Sequence, residues 1–199
     1  MTQIKNKPKS YFKITGNILF YGLLLFFIFN TNAKSWVLQQ LVAVGLFKAD
    51  IKKEGVQKST GAVNTNFSFT DINGKVTSTA NLKGKVIFIN FWASWCPPCR
   101  AEIPSIDELY KKLKNDNRYV FIFINEDEDK TKAIKFIEDN HFTIPLHSST
   151  GVVPNEIYSG SLPTTIVIDK SGKIVLNHQR MAGYNTNEFT KQLQALTKN

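Results

Sequence analysis

The sequence predicts an α/β domain built on a mixed β-sheet, preceded by a membrane-directed N-terminal segment. Three observations carry this expectation. From residue 86 onward, runs with strand character alternate with helical runs in the order β-α-β-α-β-β-α. Two of the strand runs, 86–92 and 119–124, are rich in β-branched and aromatic residues, as in central strands covered on both faces. Residues 14–33 carry no charge at all. A chain of 199 residues with 42% hydrophobic residues suits one ordinary domain plus an additional segment, and excludes a disordered chain. Its two cysteines exclude a disulfide-stapled miniprotein and a four-cysteine zinc site.

Residues 1–13 hold Lys5, Lys7, Lys9 and Lys13 and no acid. The uncharged run 14–33 follows, with an almost wholly apolar centre from 18 to 29. Twenty helical residues at ~1.5 Å each span ~30 Å, the thickness of a bilayer core. Tyr11 and Phe12 before the run and Trp36 after it suit the two interfaces. The leading reading is an uncleaved single-span anchor. A cleaved signal peptide with its site at Thr31-Asn32-Ala33 and, less fittingly, a buried core helix stay open. The lysine flank keeps the N-terminus in the cytoplasm and places the rest of the chain outside it, at a bacterial cytoplasmic membrane or, after cleavage, in the periplasm.

Apolar residues at 38, 41, 42, 45 and 46 have helical spacing, with Gln39 and Gln40 on the other face, so a short amphipathic helix is expected next. Residues 48–65, rich in Lys, Gly, Ser, Thr and Asn, read as a linker. The chain is thus divided into a basic tail (1–13), an anchor (14–33), a juxtamembrane helix and linker (34–64) and the folded domain (65–199).

Within that domain, 67–69 reads as a short strand and 71–75 as a turn around Asn73-Gly74. The buried run 86–92 leads into a helix over 97–113, then the strand 119–124, so the two strands are expected parallel across a right-handed crossover. Residues 130–140 read as helix, 164–169 and 173–176 as a hairpin around Lys170-Ser171-Gly172, and 187–196 as the last helix.

The net charge of +9 raises the question of an acidic partner. Residues 1–13 account for +4 and residues 31–60 for +3, leaving +2 on 61–199. A nearly neutral domain without any recognition motif argues against nucleic-acid binding. The N-terminal third points to a lipid bilayer instead.

The two cysteines, Cys96 and Cys99, lie in Trp95-Cys96-Pro97-Pro98-Cys99, between a strand and a helix. A helix N-terminus offers free N–H groups and a positive dipole end, which stabilise a thiolate. Cys96 is therefore expected to be the attacking thiol, and Cys99, one turn deeper, to resolve the mixed disulfide. Pro97 has no N–H to lose in the first turn. Half of a metal site and an inert staple are the competing readings. The metal reading lacks paired ligands, since His141, His147 and His178 stand apart, and so short a loop makes a weak staple. No metal and no cofactor beyond the Cys96–Cys99 disulfide is expected.

The stretch Phe91-Trp92-Ala93-Ser94-Trp95-Cys96-Pro97-Pro98-Cys99-Arg100 resembles the active-site stretch of the thioredoxin superfamily, and Ser161-Leu162-Pro163-Thr164-Thr165 resembles its second landmark. That resemblance implies the thioredoxin fold and a cis proline, Pro163, facing the cysteine pair. It also implies that the backbone of Leu162 pairs with substrate main chain. Cys99-Arg100-Ala101-Glu102-Ile103-Pro104 is similar to the membrane-tethered TlpA/ResA branch, as is the stretch from Phe67 to Lys85. Cytosolic thioredoxins carry a buried aspartate six residues before the first cysteine. Here that position is Asn90, which cannot titrate. The branch resemblance instead implies a role for Glu102, which shares a helix face with Cys99. Buried there, its carboxyl would have a raised pKa and could carry the resolving thiol's proton. The competing reading is a solvated first-turn acid. Pro104 is expected to kink the helix.

The aromatic residues Phe91, Trp92 and Trp95 are candidates to line the cysteine surface, Trp95 as a substrate contact together with Pro97, Leu162 and Pro163. The run Glu126-Asp127-Glu128-Asp129 reads as a solvated loop and helix cap, and His147 and His178 as surface residues. The expected activity is thiol–disulfide exchange on protein disulfides. The resemblance implies a reductase fed by a thiol-type membrane donor, acting for instance on apocytochrome c thiols. A disulfide oxidase remains open, as do two rivals. A peroxiredoxin-like peroxidase would want Thr where Ala93 stands, and a copper metallochaperone would add a histidine such as His147 to the cysteines.

Overall fold

A computed structural model describes residues 9–51 and 65–198, with side chains from residue 14 onward. Its sheet has seven strands in the order β2-β1-β5-β4-β3-β6-β7. These are β1 (Ser68–Asp71), β2 (Val76–Ser78), β3 (Val86–Trp92), β4 (Tyr119–Asn125), β5 (His147–Thr150), β6 (Thr164–Ile168) and β7 (Ile174–His178). Helices α1 (Lys9–Phe29) and α2 (Thr31–Ala43) precede the sheet; α3 (Pro97–Leu113) and α4 (Lys130–Asp139) flank β4 in sequence, and α5 (Asn187–Ala195) ends the fold. The sheet is mixed, as expected: β3 is parallel to β4 and antiparallel to β6.

Every residue of β3 is buried, as its apolar run, interrupted only by Asn90, requires. Alternate residues feed two cores. Val86, Phe88 and Trp92 join residues of α3, α4 and α5, among them both cysteines, Ile103, Ala133 and Phe189. Ile87, Ile89 and Phe91 join Phe67, Phe69 and Ile157 on the opposite face.

Two strands were not expected. β2 and β5 are short and largely polar, and each owes its conformation to β1, which pairs antiparallel with both. The expected turn is present: Asp71 Oδ1 accepts the N–H groups of Asn73 (2.9 Å) and Lys75 (3.0 Å), and Gly74 adopts φ 80°.

The N-terminal helices depart from the expected straight span over 14–33. α1 stops at Phe29, because Asn30 is extended (φ −96°, ψ 101°) and caps α2, accepting the Ala33 N–H at 3.0 Å. Among the described residues no single helix is long and apolar enough to cross a membrane. The pair Ile14–Phe29 and Thr31–Ala43, bent by 87°, passes that test only together. The apolar side chains of α1 are exposed: Leu19 is 75% exposed and Phe29 81%.

The amphipathic helix starts earlier than its apolar spacing suggested and stops before residues 45 and 46. Gly45 turns the chain with φ 78°, and its N–H bonds the Val42 carbonyl at 2.9 Å. α2 packs on α3: Val42 with Ala101 and Met181, flanked by Leu38. Of the stretch read as linker, residues 48–51 are bonded to the domain. The Ala49 N–H donates to the Gly183 carbonyl (3.2 Å), and the Ile51 N–H to Gln192 Oε1 on α5 (2.9 Å). The remainder up to residue 64, like the tail 1–8, lies outside the described residues.

Candidate active site

β3 ends at Trp92, and four residues later Cys96 caps α3. The cap is a sulfur: Cys96 is extended (φ −87°, ψ 108°), and its Sγ accepts the Cys99 N–H at 3.3 Å. Prolines fill the first two helical positions, where an N–H is dispensable. Cys96 and Cys99 form a disulfide with Cα atoms 5.3 Å apart. Both cysteines are buried, Cys96 at 3% exposure and Cys99 fully. Trp95 beside it is 60% exposed, whereas Trp92 and Phe91 are not accessible. Trp92 packs against Phe136, and Phe91 stacks on Tyr158 at 4.3 Å in the opposite core. Of the three aromatics expected around the pair, only Trp95 faces outward.

The loop carrying Trp95 and Cys96 is held by a residue the sequence reading did not single out. Trp92 and Asn125 are register partners on parallel strands, so Ser94 and Asp127, each two residues further, stand level. Asp127 is buried and accepts both the N–H (2.9 Å) and the hydroxyl (2.8 Å) of Ser94. Asn125 Nδ2 donates to the same carboxylate at 2.6 Å. The acidic run 126–129 is therefore not uniformly solvated. Asp127 clamps the loop, while Asp129 caps α4 by accepting the Thr131 N–H at 3.0 Å. The signal available was position: groups just beyond the carboxyl ends of parallel strands converge on a site.

Pro163 lies at the start of β6, in a cis bond to Leu162. Since Thr164 pairs with Phe91 on β3, Pro163 stands at the end of β3 from which the cysteine loop departs. Pro163 is buried and Leu162 half-buried.

Glu102 occupies α3 one turn beyond Cys99 and is wholly inaccessible. Its Oε1 accepts from Asn90 Nδ2 (2.8 Å) and its Oε2 from the Ala182 N–H (3.2 Å). Burial pushes its pKa up to about 8, against the opposing pull of the Asn90 and Ala182 donors. It is not a solvated first-turn acid. Asn90 is also fully buried and donates to Thr165 Oγ1 at 2.9 Å, so an uncharged amide steers the carboxyl from β3. Pro104 stands inside α3. Arg100, half-buried, spans outward from the site: its Nη2 donates to Asn32 Oδ1 on α2 at 2.6 Å, and its guanidinium lies 4.9 Å from the Phe136 ring centroid.

The histidines are not the surface residues expected. His147 is half-buried, packs edge-on against Phe69 in the opposite core, and accepts the Phe123 N–H on Nδ1 at 3.1 Å. Burial holds its pKa below the ordinary value. His178 is buried on β7. Among the described residues no group of three or more His, Cys, Asp or Glu side chains is placed to hold a metal.

The arrangement, a disulfide at a helix N-terminus with a buried carboxyl behind it, suits thiol–disulfide exchange. Similarity to known proteins agrees. The Redoxin family matches residues 39–193. A thiol-disulfide oxidoreductase ResA of Bacillus cereus is 36% identical over 143 residues, covering 71% of this chain and 78% of the relative. ResA of Bacillus subtilis is 34% identical over 124 residues, covering 62% and 68%. The crystal structure of StoA from Bacillus subtilis superposes with a TM-score of 0.53 at 26% identity, covering 69% of this chain and 100% of that one. The chain therefore belongs to the Redoxin family, as a ResA-like thiol–disulfide oxidoreductase of thioredoxin fold.

Proposed function

We propose that this protein is a membrane-anchored, extracytoplasmic reductase of protein disulfides, such as those of apocytochrome c, working through its Cys-Pro-Pro-Cys pair. The observation that carries the reading is the buried Glu102, with a pKa of about 8, one helical turn behind Cys99. A carboxyl that titrates near the working pH can both take and return a proton. In the reduced protein, the Cys96 thiolate attacks one sulfur of the substrate disulfide. An enzyme–substrate disulfide forms and the other substrate sulfur leaves as a thiolate. Cys99 passes its proton to Glu102 and attacks Cys96 Sγ. The Cys96–Cys99 bond forms, and the second substrate thiolate leaves. The electron pair comes from the enzyme dithiol, and a membrane donor of thiol type restores it.

Trp95 offers an exposed contact beside the disulfide, with Pro97 half-buried next to it, and the backbone of Leu162, before the cis Pro163, is available to an extended substrate. The exposed apolar side chains of α1 support a bilayer as its surroundings. α1 alone does not reach the length and apolarity of a span; the bent pair that it forms with α2 does, by length and composition. The four lysines among residues 1–13 favour a cytoplasmic N-terminus and an extracytoplasmic domain.

Insulin reduction by the full chain in detergent, with a dithiol donor, tests the reading. Cys96→Ser abolishes turnover, and Cys99→Ser stalls as a mixed disulfide on Cys96. Full activity in Cys96→Ser would rule the mechanism out.

A further inference from the structure

Residues 181–184 run between two layers. On the α3 side, the Ala182 N–H donates to Glu102 Oε2 and the Tyr184 N–H to Ser105 Oγ, each at 3.2 Å. On the other side lies the segment that enters the domain from α2. The Gly183 N–H donates to the Phe47 carbonyl at 2.7 Å, and the Gly183 carbonyl accepts the Ala49 N–H at 3.2 Å. This alternation is that of an extended chain, whose successive residues face opposite sides. Met181 completes the contact, buried with Val42 of α2 and Ala101 of α3. At Gly183 a Cβ would stand 3.1 Å from Val42 Cγ1 and 3.2 Å from the Phe47 carbonyl oxygen, so even a methyl group would push the two layers apart by a few tenths of an ångström. Gln192 on α5 fixes the far end, bonding the Ile51 N–H and the Asp50 carboxylate, each at 2.9 Å.

We propose that α2 and residues 47–51 form a strap that presses residues 181–183 onto α3 and keeps Glu102 dry, so that the juxtamembrane segment sets the proton affinity of the candidate proton carrier. The strap reaches Glu102 through residues 181–183, and the proposal rests on the reading of Glu102 given above.

The direction of the effect follows from which influence on Glu102 is larger. Burial is the largest, and the Ala182 N–H, which favours the carboxylate, is the smallest of those acting on it. Lifting the strap removes both. Water then replaces the lost donor, and the loss of burial prevails, so the carboxyl becomes more acidic. Cys99, one turn earlier on α3, carries no titrating thiol while disulfide-bonded, which leaves His178, following Thr165 along the same sheet row as Asn90, as the other titratable group around it. Asn90 and Thr165 between them are neutral. Arg180 and Lys48 are exposed, and Arg100 turns toward Asn32.

The test uses the full chain, oxidised, in detergent micelles. The infrared carboxylic C=O band that disappears in Glu102→Gln is titrated in wild type, Val42→Asn and Gly183→Ala. Amide exchange at Gly183, whose N–H is held by Phe47, reports opening. The wild-type band titrates at about 8. In both variants Gly183 exchanges faster and the midpoint falls by at least about one pH unit, about tenfold in proton affinity. If Val42→Asn does not fold, Gly183→Ala carries the same reading. Faster exchange with an unmoved midpoint would overturn the proposal, as would unchanged exchange in both variants. A pH–rate profile of thiol exchange left intact by Glu102→Gln would instead refute the proton-carrier role while leaving the infrared result standing.

Discussion

Glu102 and Asp127 are both buried carboxyls, yet they do different work. Asp127 is matched by donors from Ser94 and Asn125, whereas burial outweighs the donors at Glu102. The consequence for stability has a definite sign. Glu102 titrates at about 8 in the fold against 4.5 in its ordinary state, so between those values the unfolded chain holds fewer protons than the native one. Its contribution therefore falls as pH rises from ~4.5 to ~8 and is flat beyond, by a total on the order of a few kcal/mol. Denaturant unfolding of the oxidised protein at about pH 5 and about pH 9 checks this: Glu102→Gln gains stability relative to wild type between the two by that order. An equal difference at both pH values would contradict the buried, proton-bearing carboxyl. Asp127→Ala strands the Ser94 N–H and hydroxyl and is expected to destabilise by about 2 kcal/mol. Insulin reduction should slow with it, because the loop that presents Cys96 loses its clamp. At this scale helix position singled out Cys96 and Cys99, and the resemblance to the TlpA/ResA branch singled out Glu102, all within one short stretch of sequence. Asp127 was not legible, because its partner Ser94 is 33 residues away and is met only through strand register.

At the scale of elements, the buried strands and the three domain helices were legible within a residue or two, since each announces itself by a continuous apolar run, a helical period or a cap. β2 and β5 carry no such pattern, and their conformation comes from pairing with β1. The break between α1 and α2 was hidden for another reason: Asn30 is neutral and sits inside an uncharged run, so hydropathy passes over it, while its side chain caps the next helix. Caps of this kind have measurable worth. Asp129 is fully committed to the α4 cap through the Thr131 N–H and hydroxyl. Asp129→Ala should destabilise by about 1 kcal/mol in urea unfolding and leave insulin reduction unchanged. A loss of activity without a loss of stability would give the acidic run a role beyond capping and clamping.

For the whole molecule, most of the excess charge and most of the exposed large apolar side chains sit before the domain, and the domain itself is close to neutral. The sequence separated these parts correctly in composition but not in space: α2 and residues 48–51 are bonded to the domain rather than spacing it from the bilayer. The exposed side chains of α1 predict that the full chain stays in the membrane pellet through carbonate washing, and that Leu24→Lys with Phe27→Lys releases it. Retention of that double variant would argue against α1 as the anchor. The central claim, however, concerns the direction of electron flow through Cys96 and Cys99. The midpoint potential of that pair, measured in the full chain against a glutathione or dithiol couple, tests it most directly. A reductase is predicted to lie near about −270 mV, and a value near about −120 mV, that of a strong oxidant, would contradict the account.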